Sequence, residues 1–113
     1  MDAEDLALYR EKFRRRLPES LDELRGPTHG AVDLPLHMAR YGVASYDLGK
    51  PRQRMGMYRT VRHEGPRDDL SCHLDQDLLL QLWPVLHTLV GRTVRLVWED
   101  AFAQLTSRAR AAA

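Results

Sequence analysis

The sequence has almost no cysteine: Cys72 is the single thiol among 113 residues. One cysteine excludes an internal disulfide, and no early apolar run follows a basic stretch as a secretory signal requires, so we expect a cytoplasmic protein. Asp68 and Asp69 precede Cys72 by about one helical turn. These neighbours are the opposite of the electropositive surroundings of reactive cysteines, and Cys72 is therefore predicted to be a small buried apolar residue.

Long hydrophobic runs are also missing. The longest strongly apolar stretch covers residues 78–90, carries a Gln, a Pro and a His, and is shorter than the roughly 20 residues needed to cross a bilayer. We therefore expect a soluble protein without membrane contact. The length of 113 residues, with 43% apolar and 29% charged side chains, is typical of one domain spanning residues 1–113.

The motifs of common catalytic and metal sites are absent from the sequence. The five histidines show no His-x-x-x-His spacing and there is no second cysteine, so no metal site is predicted. No Gly-x-Ser-x-Gly occurs, and Glu99-Asp100 is assigned to a solvated helix face. Gly49-Lys50 fails as a phosphate loop because Ala44 and Pro51 stand where Gly and Ser or Thr are required. We expect no enzyme and no cofactor.

Lysine is scarce, and basic charge is concentrated in the middle of the chain. Only Lys12 and Lys50 among the 17 basic residues are lysine, and the net charge is +1. Residues 27–65 hold six basic and three acidic side chains. Arginine binds carboxylate and phosphate as a planar fork. The bias toward arginine also follows from a genome rich in G and C, so composition alone does not define a partner.

Residues 1–26 are predicted to be a broken helical arm. Asp2 or Asp5 caps a helix with an apolar stripe at spacings of three and four, and Pro18 interrupts it. Ser20 and Glu23 resemble a capping box for a short second turn, which Gly26-Pro27 ends. Three basic residues lie largely off the apolar stripe and are candidate partner-binding residues: Arg14, Arg15 and Arg16.

Residues 30–48 show a change of period. Apolar residues alternate from Val32 to Met38, as in a half-buried strand, but Pro35 removes a hydrogen-bond donor and confines the segment to an edge. Tyr41 to Asp47 is a second short strand in this interpretation, after a turn at residues 39–42. The exposed strand edge also makes a homodimer an open alternative.

The remaining sequence predicts helices. Pro51 begins one that Gly65-Pro66 ends, and a short acidic helix follows. The next helix is apolar on nearly every side, lies in the middle of the fold and breaks or kinks at Pro84. A last amphipathic helix covers about residues 92–105, and residues 106–113 are predicted to fray. The fold class is mainly α, or α+β at most: a compact bundle of four to five helices with an edge hairpin near residues 30–48.

A helical wheel divides the basic run that begins at Pro51. Three apolar residues point inward, and the basic trio on the opposite side is predicted to bind a partner: Arg52, Arg59 and His63. Arg54 falls among the apolar positions, so it is expected to pair with Asp33, Asp47 or Asp69. Arg62 flanks the trio.

Nucleic acid and protein remain open as partners of the basic trio. A helix-turn-helix would place the helix after Gly65-Pro66 in the major groove, and its three acidic residues would repel phosphate. An acidic protein surface is therefore favoured, with a nucleic-acid-binding transcriptional regulator as the alternative. Trp83 and Trp98 are interpreted as core residues.

The stretches LYRTVRHEGPRDDL and LLLQLWPVLHTLVGRTVRLVWEDAF resemble a group of small, mostly uncharacterised helical proteins of high-G+C bacteria. The resemblance covers about residues 45–105. It lies in Arg54, Tyr58, Glu64, Gly65, Leu82 to Pro84, Arg95, Trp98 and Glu99. Such proteins are often encoded beside nucleotidyltransferase-like toxin genes, which implies an antitoxin-like protein with that kind of toxin as partner. The resemblance implies no catalytic residue.

Overall fold

The computed structural model describes residues 2–38, 45–64 and 67–111, with residues 63 and 64 described by their backbone alone. The predicted mainly helical class with a short hairpin is confirmed, although the described residues form six α-helices rather than four or five. The helices are α1 (Ala3–Arg14), α2 (Pro51–Glu64), α3 (Arg67–His73), α4 (Gln76–Leu86), α5 (Arg92–Ala101) and α6 (Ala103–Ala111).

The hairpin consists of β1 (Ala31–Asp33) and β2 (Ser45–Asp47), which pair antiparallel with Val32 opposite Tyr46. Both of these side chains are buried. The strand is shorter than predicted, because residues Leu36–Met38 form a 3-10 turn after Pro35 in which Met38 is buried and Leu36 is 88% exposed. The predicted turn at residues 39–42 lies outside the described residues.

The N-terminal region combines α1 with a second 3-10 turn, Leu21–Glu23. Asp2 accepts a hydrogen bond from the amide of Asp5 at 2.8 Å, and the amide of Ser20 donates to Glu23 at 3.0 Å. That hydrogen bond is the largest of the causes that lower the pKa of Glu23. Helix α1 packs on α5, while Leu21 and Leu24 enter the core.

Helix α4 passes through Pro84 and ends at Leu86, so of the two predicted outcomes, a break or a kink near Trp83, the break is wrong. Pro84 costs one backbone hydrogen bond, whereas continuing the helix buries Trp83 and Leu86 completely. The expectation that α4 is surrounded by the core is also wrong on one side, because Val85 is 57% exposed. No helix in the described ranges is long and apolar enough to span a bilayer.

The predicted last helix is divided into two. Phe102 adopts an extended conformation after α5 and is buried, and α6 then runs to Ala111. The Thr106 hydroxyl donates to the Glu99 carbonyl at 2.9 Å and satisfies a backbone group at the break. The segment predicted to fray is helical up to residue 111: Leu105, just before it, is fully buried and Ala109 packs against the core.

Candidate functional site

Helix α2 carries the candidate site, and contacts with β2 and with the core fix its position. Gln53 accepts a hydrogen bond from the Asp47 amide at 2.7 Å, which ties the first turn to β2. Met57, Tyr58 and Val61 are fully buried, as the apolar side of the wheel predicted. The opposite side of the helix is therefore directed away from the core.

Tyr58 connects α2 to the start of α4. Its hydroxyl oxygen accepts a hydrogen bond from the Asp75 amide at 2.9 Å, and the Asp75 side chain in turn caps α4 by accepting from the Leu78 amide at 3.1 Å. Burial raises the pKa of Tyr58 to about 12, since the phenolate would be poorly solvated. The two helices are thus held in a defined relation near the candidate site.

The substitution Tyr58→Phe tests this connection through pH. At pH 7 the variant should be less stable by about 1 kcal/mol, because the Asp75 amide loses its acceptor. Unfolded tyrosine ionises near pH 10 whereas folded Tyr58 ionises near 12, so wild-type protein should lose stability relative to the variant across that window. Urea unfolding at pH 7 and pH 11.5 measures the difference, and a gap between the two proteins that does not change with pH would contradict it.

Arg52 and Arg59 lie about two helical turns apart, and both are exposed. Neither forms an ion pair within the part of the chain that the structure describes. The third predicted member of this face, His63, is described only by its backbone. The two arginines therefore present positive charge to solvent on one side of α2, without an ion-pair partner among the described residues.

Arg62, which sequence analysis placed beside this face, is buried and only 2% exposed. Its Nε and Nη1 atoms are inaccessible and have no hydrogen-bond partner among the residues that the structure describes. Burial, followed by the nearby Arg59 cation, lowers the pKa of Arg62 to about 9. Arg62 is thus a functional candidate that the helical wheel did not identify. A wheel gives the direction of a side chain around its own helix, but it does not show which neighbouring elements cover that side chain.

The predicted pairing of Arg54 is wrong, since no ion pair among the described residues joins it to Asp33, Asp47 or Asp69. Arg54 is half-buried, and its Nε has no hydrogen-bond partner. Two of the proposed acids are engaged elsewhere: Asp47 accepts from the Gly49 amide at 2.9 Å, and Asp69 lies 2.7 Å from His37. Among the described residues, Arg54 Nε and both Nε and Nη1 of Arg62 therefore have no hydrogen-bond acceptor.

The candidate arginines at the end of α1 do not join this surface. Arg14 is exposed and lines an open groove between α1 and α5, whereas Arg15 pairs with Glu11 at 3.3 Å. The guanidinium carbon of Arg16 lies 5.3 Å from the Phe13 ring centroid, a distance typical of a cation–π contact. Helix α1 packs mainly on α5 and α2 mainly on β2 and α4, so the two groups lie on different elements.

Cysteine and histidine form no recognisable reactive centre in the described ranges. Cys72 is exposed, so the prediction of a buried residue is wrong. His73 contacts the Asp69 carbonyl at 2.9 Å through Nδ1, which is a local helical contact. No group of three or more potential metal ligands occurs among the described residues.

Comparisons with known proteins do not classify this arrangement further. No family model matches the chain, and no curated protein or solved structure matches it either. The class that fold and site define is a small, mainly helical protein with an arginine-bearing surface on α2.

Proposed function

We propose that the protein is a non-enzymatic binding protein that contacts an acidic protein surface through Arg52 and Arg59 on α2. The observation that carries this proposal is the exposure of both guanidinium groups without a described ion-pair partner. Exposed arginines on a rigid helix bind carboxylates as planar forks with little further loss of backbone freedom. The resemblance to antitoxin-like proteins adds a kind of partner, a nucleotidyltransferase-like toxin.

Protein is favoured over nucleic acid because of the helix that follows. Helix α3 packs against α2, begins with an acidic turn, and leaves Asp68 exposed. Duplex binding gains much of its free energy from cations that displace counterions along the phosphate backbone, and acids beside the contact oppose it. An acidic protein surface can place its carboxylates opposite Arg52 and Arg59 and away from Asp68, whereas phosphates recur along the whole duplex.

The double substitution Arg52→Glu with Arg59→Glu tests the proposed contact. Co-purification of a nucleotidyltransferase-like partner from the native host should fall about tenfold or more, because two favourable charge contacts become repulsive. The free energy of unfolding should change by less than about 0.5 kcal/mol, since both side chains are exposed. Full retention of binding by the folded variant would refute the contact.

A matched control separates the surface from net charge. Arg92→Glu with Arg108→Glu makes the same change in charge at exposed positions on α5 and α6 and should leave partner binding intact.

The alternative function is tested with genomic DNA fragments and total RNA at low salt. Binding that weakens steeply as salt rises would favour the nucleic-acid regulator instead.

A further inference from the structure

Arg62 is a buried cation without a counter-charge among the described residues. It is 2% exposed, and two of its three nitrogens, Nε and Nη1, lack both solvent and a hydrogen-bond partner. Among the described residues, the charge that acts on the pKa of Arg62 is that of another cation, Arg59. Buried guanidinium groups in folded proteins are otherwise paired and hydrogen-bonded, because removing an unpaired charge from water is very costly.

The position of Arg59 explains where a counter-charge would enter. Residues three apart on a helix have Cβ atoms about 5–6 Å apart, so the two side chains are neighbours on α2. Arg59 is exposed and Arg62 is buried, so this part of α2 carries one cation at the surface and one beneath it. Two adjacent like charges repel each other, and one anion that contacts both side chains would relieve the repulsion.

We propose that Arg59 and Arg62 bind one small tetrahedral oxyanion of the phosphate class, with Arg62 contacting it from the interior and Arg59 from the solvent side. A free oxyanion fits this role because several oxygens converge in a small volume, and because the planar donors of arginine match phosphate geometry. A carboxylate on the surface of a partner protein is attached to a bulky backbone. A free ion carries no such backbone, and the part of Arg62 that it meets is Nη2, because Nε and Nη1 have no accessible surface.

This inference goes beyond the proposed protein contact, because anion binding is a property of the isolated chain. Inorganic phosphate is the probe, and thermal unfolding is measured in a phosphate-free buffer with added phosphate or with sodium chloride at equal ionic strength. Wild-type protein should gain about 4 °C in Tm at phosphate concentrations about tenfold above Kd. Isothermal titration calorimetry on the folded protein measures the affinity directly.

Four variants assign the site. Arg62→Met replaces the guanidinium by an apolar side chain and should lose at least tenfold in phosphate affinity, and Arg62→Lys should lose affinity because the planar fork is gone. Arg59→Gln, at an exposed position, keeps the test informative should either Arg62 variant fail to fold, and it should also bind more weakly. Arg52→Gln makes the same change in charge on the same helix and should bind phosphate as wild type does.

Two results would overturn the proposal: equal effects of phosphate and chloride on wild-type protein, or equal phosphate affinity in wild type and Arg59→Gln. An Arg52→Gln variant that binds as poorly as Arg62→Met would also overturn the proposal, because it would indicate binding by diffuse positive charge instead of by a defined site.

Adenosine monophosphate distinguishes the source of the phosphoryl group. Tighter binding than inorganic phosphate identifies a phosphate monoester, and weaker binding identifies the free anion.

Discussion

Replacing Gly26 by alanine is expected to lower the free energy of unfolding by about 3 kcal/mol or more, at the upper end of the cost of overpacking. A Cβ atom at this position would lie 2.3 Å from the carbonyl carbon of His73 and 2.7 Å from the amide nitrogen of Leu74. These are backbone atoms at the end of α3, so no side-chain rotation relieves the overlap. The amide of Gly26 also donates to the Leu74 carbonyl at 2.8 Å, and a shift would lengthen that bond.

Gly91→Ala is the matched control for this prediction. Gly91 precedes α5 with a φ of −59°, and a Cβ atom there would have no neighbour within 4 Å. That variant should be as stable as wild type or slightly more stable, since alanine restricts the unfolded chain. Urea unfolding of both variants, followed by far-UV circular dichroism, measures the difference. Equal stabilities would show that the chain around Gly26 yields without cost.

The role of Gly26 illustrates what sequence patterns leave out. Gly26-Pro27 correctly indicates that a helical turn ends nearby, because that property depends on local backbone preference. The need for glycine arises instead from close contact with residues 73 and 74, which are distant in the chain. The same limit applies at Phe102, where no glycine or proline marks the break and burial of the ring in the core determines it.

Local and periodic features were predicted well. Pro51 begins α2 as expected of proline at a first helical position, and the alternation around Val32 predicted the hairpin. The buried side of α2 follows from the 3.6-residue period. The burial of Trp83 and Trp98 was also predicted, since large apolar residues on amphipathic helices are directed to the core.

The arginines of α2 show where periodicity ceases to be sufficient. Arg54 falls nearer than Arg62 to the centre of the apolar side on a wheel, yet Arg54 is half-buried and Arg62 almost fully buried. Burial at the margin of an apolar stripe depends on which element covers that margin, and the sequence of a single helix does not contain this information. A charged residue at the edge of an apolar stripe can therefore be buried without an ion-pair partner, and its burial has to be read from the structure.

The interface between α4 and α5 contains a polar contact that sequence analysis also misassigned. Glu99 was predicted on a solvated face, but its side chain is only 12% exposed. It accepts a hydrogen bond from Trp83 Nε1 at 3.3 Å and lies 4.0 Å from Arg95 Nε. The indole thus fills the core with its ring and satisfies a mostly buried carboxylate with its N–H group.

Trp83→Ala should therefore have an effect as large as that of any single substitution in this chain, a loss of about 3–5 kcal/mol in the free energy of unfolding. Trp83 is fully buried, its ring centroid lies 6.4 Å from that of Trp98, and alanine would leave both a cavity and an unpaired Glu99 oxygen. Trp83→Phe keeps much of the ring and should cost less, and Val85→Ala on the exposed side of α4 should cost under about 0.5 kcal/mol. Far-UV circular dichroism in urea orders the three variants, and a Val85→Ala loss equal to that of Trp83→Ala would show that α4 packs through a different face.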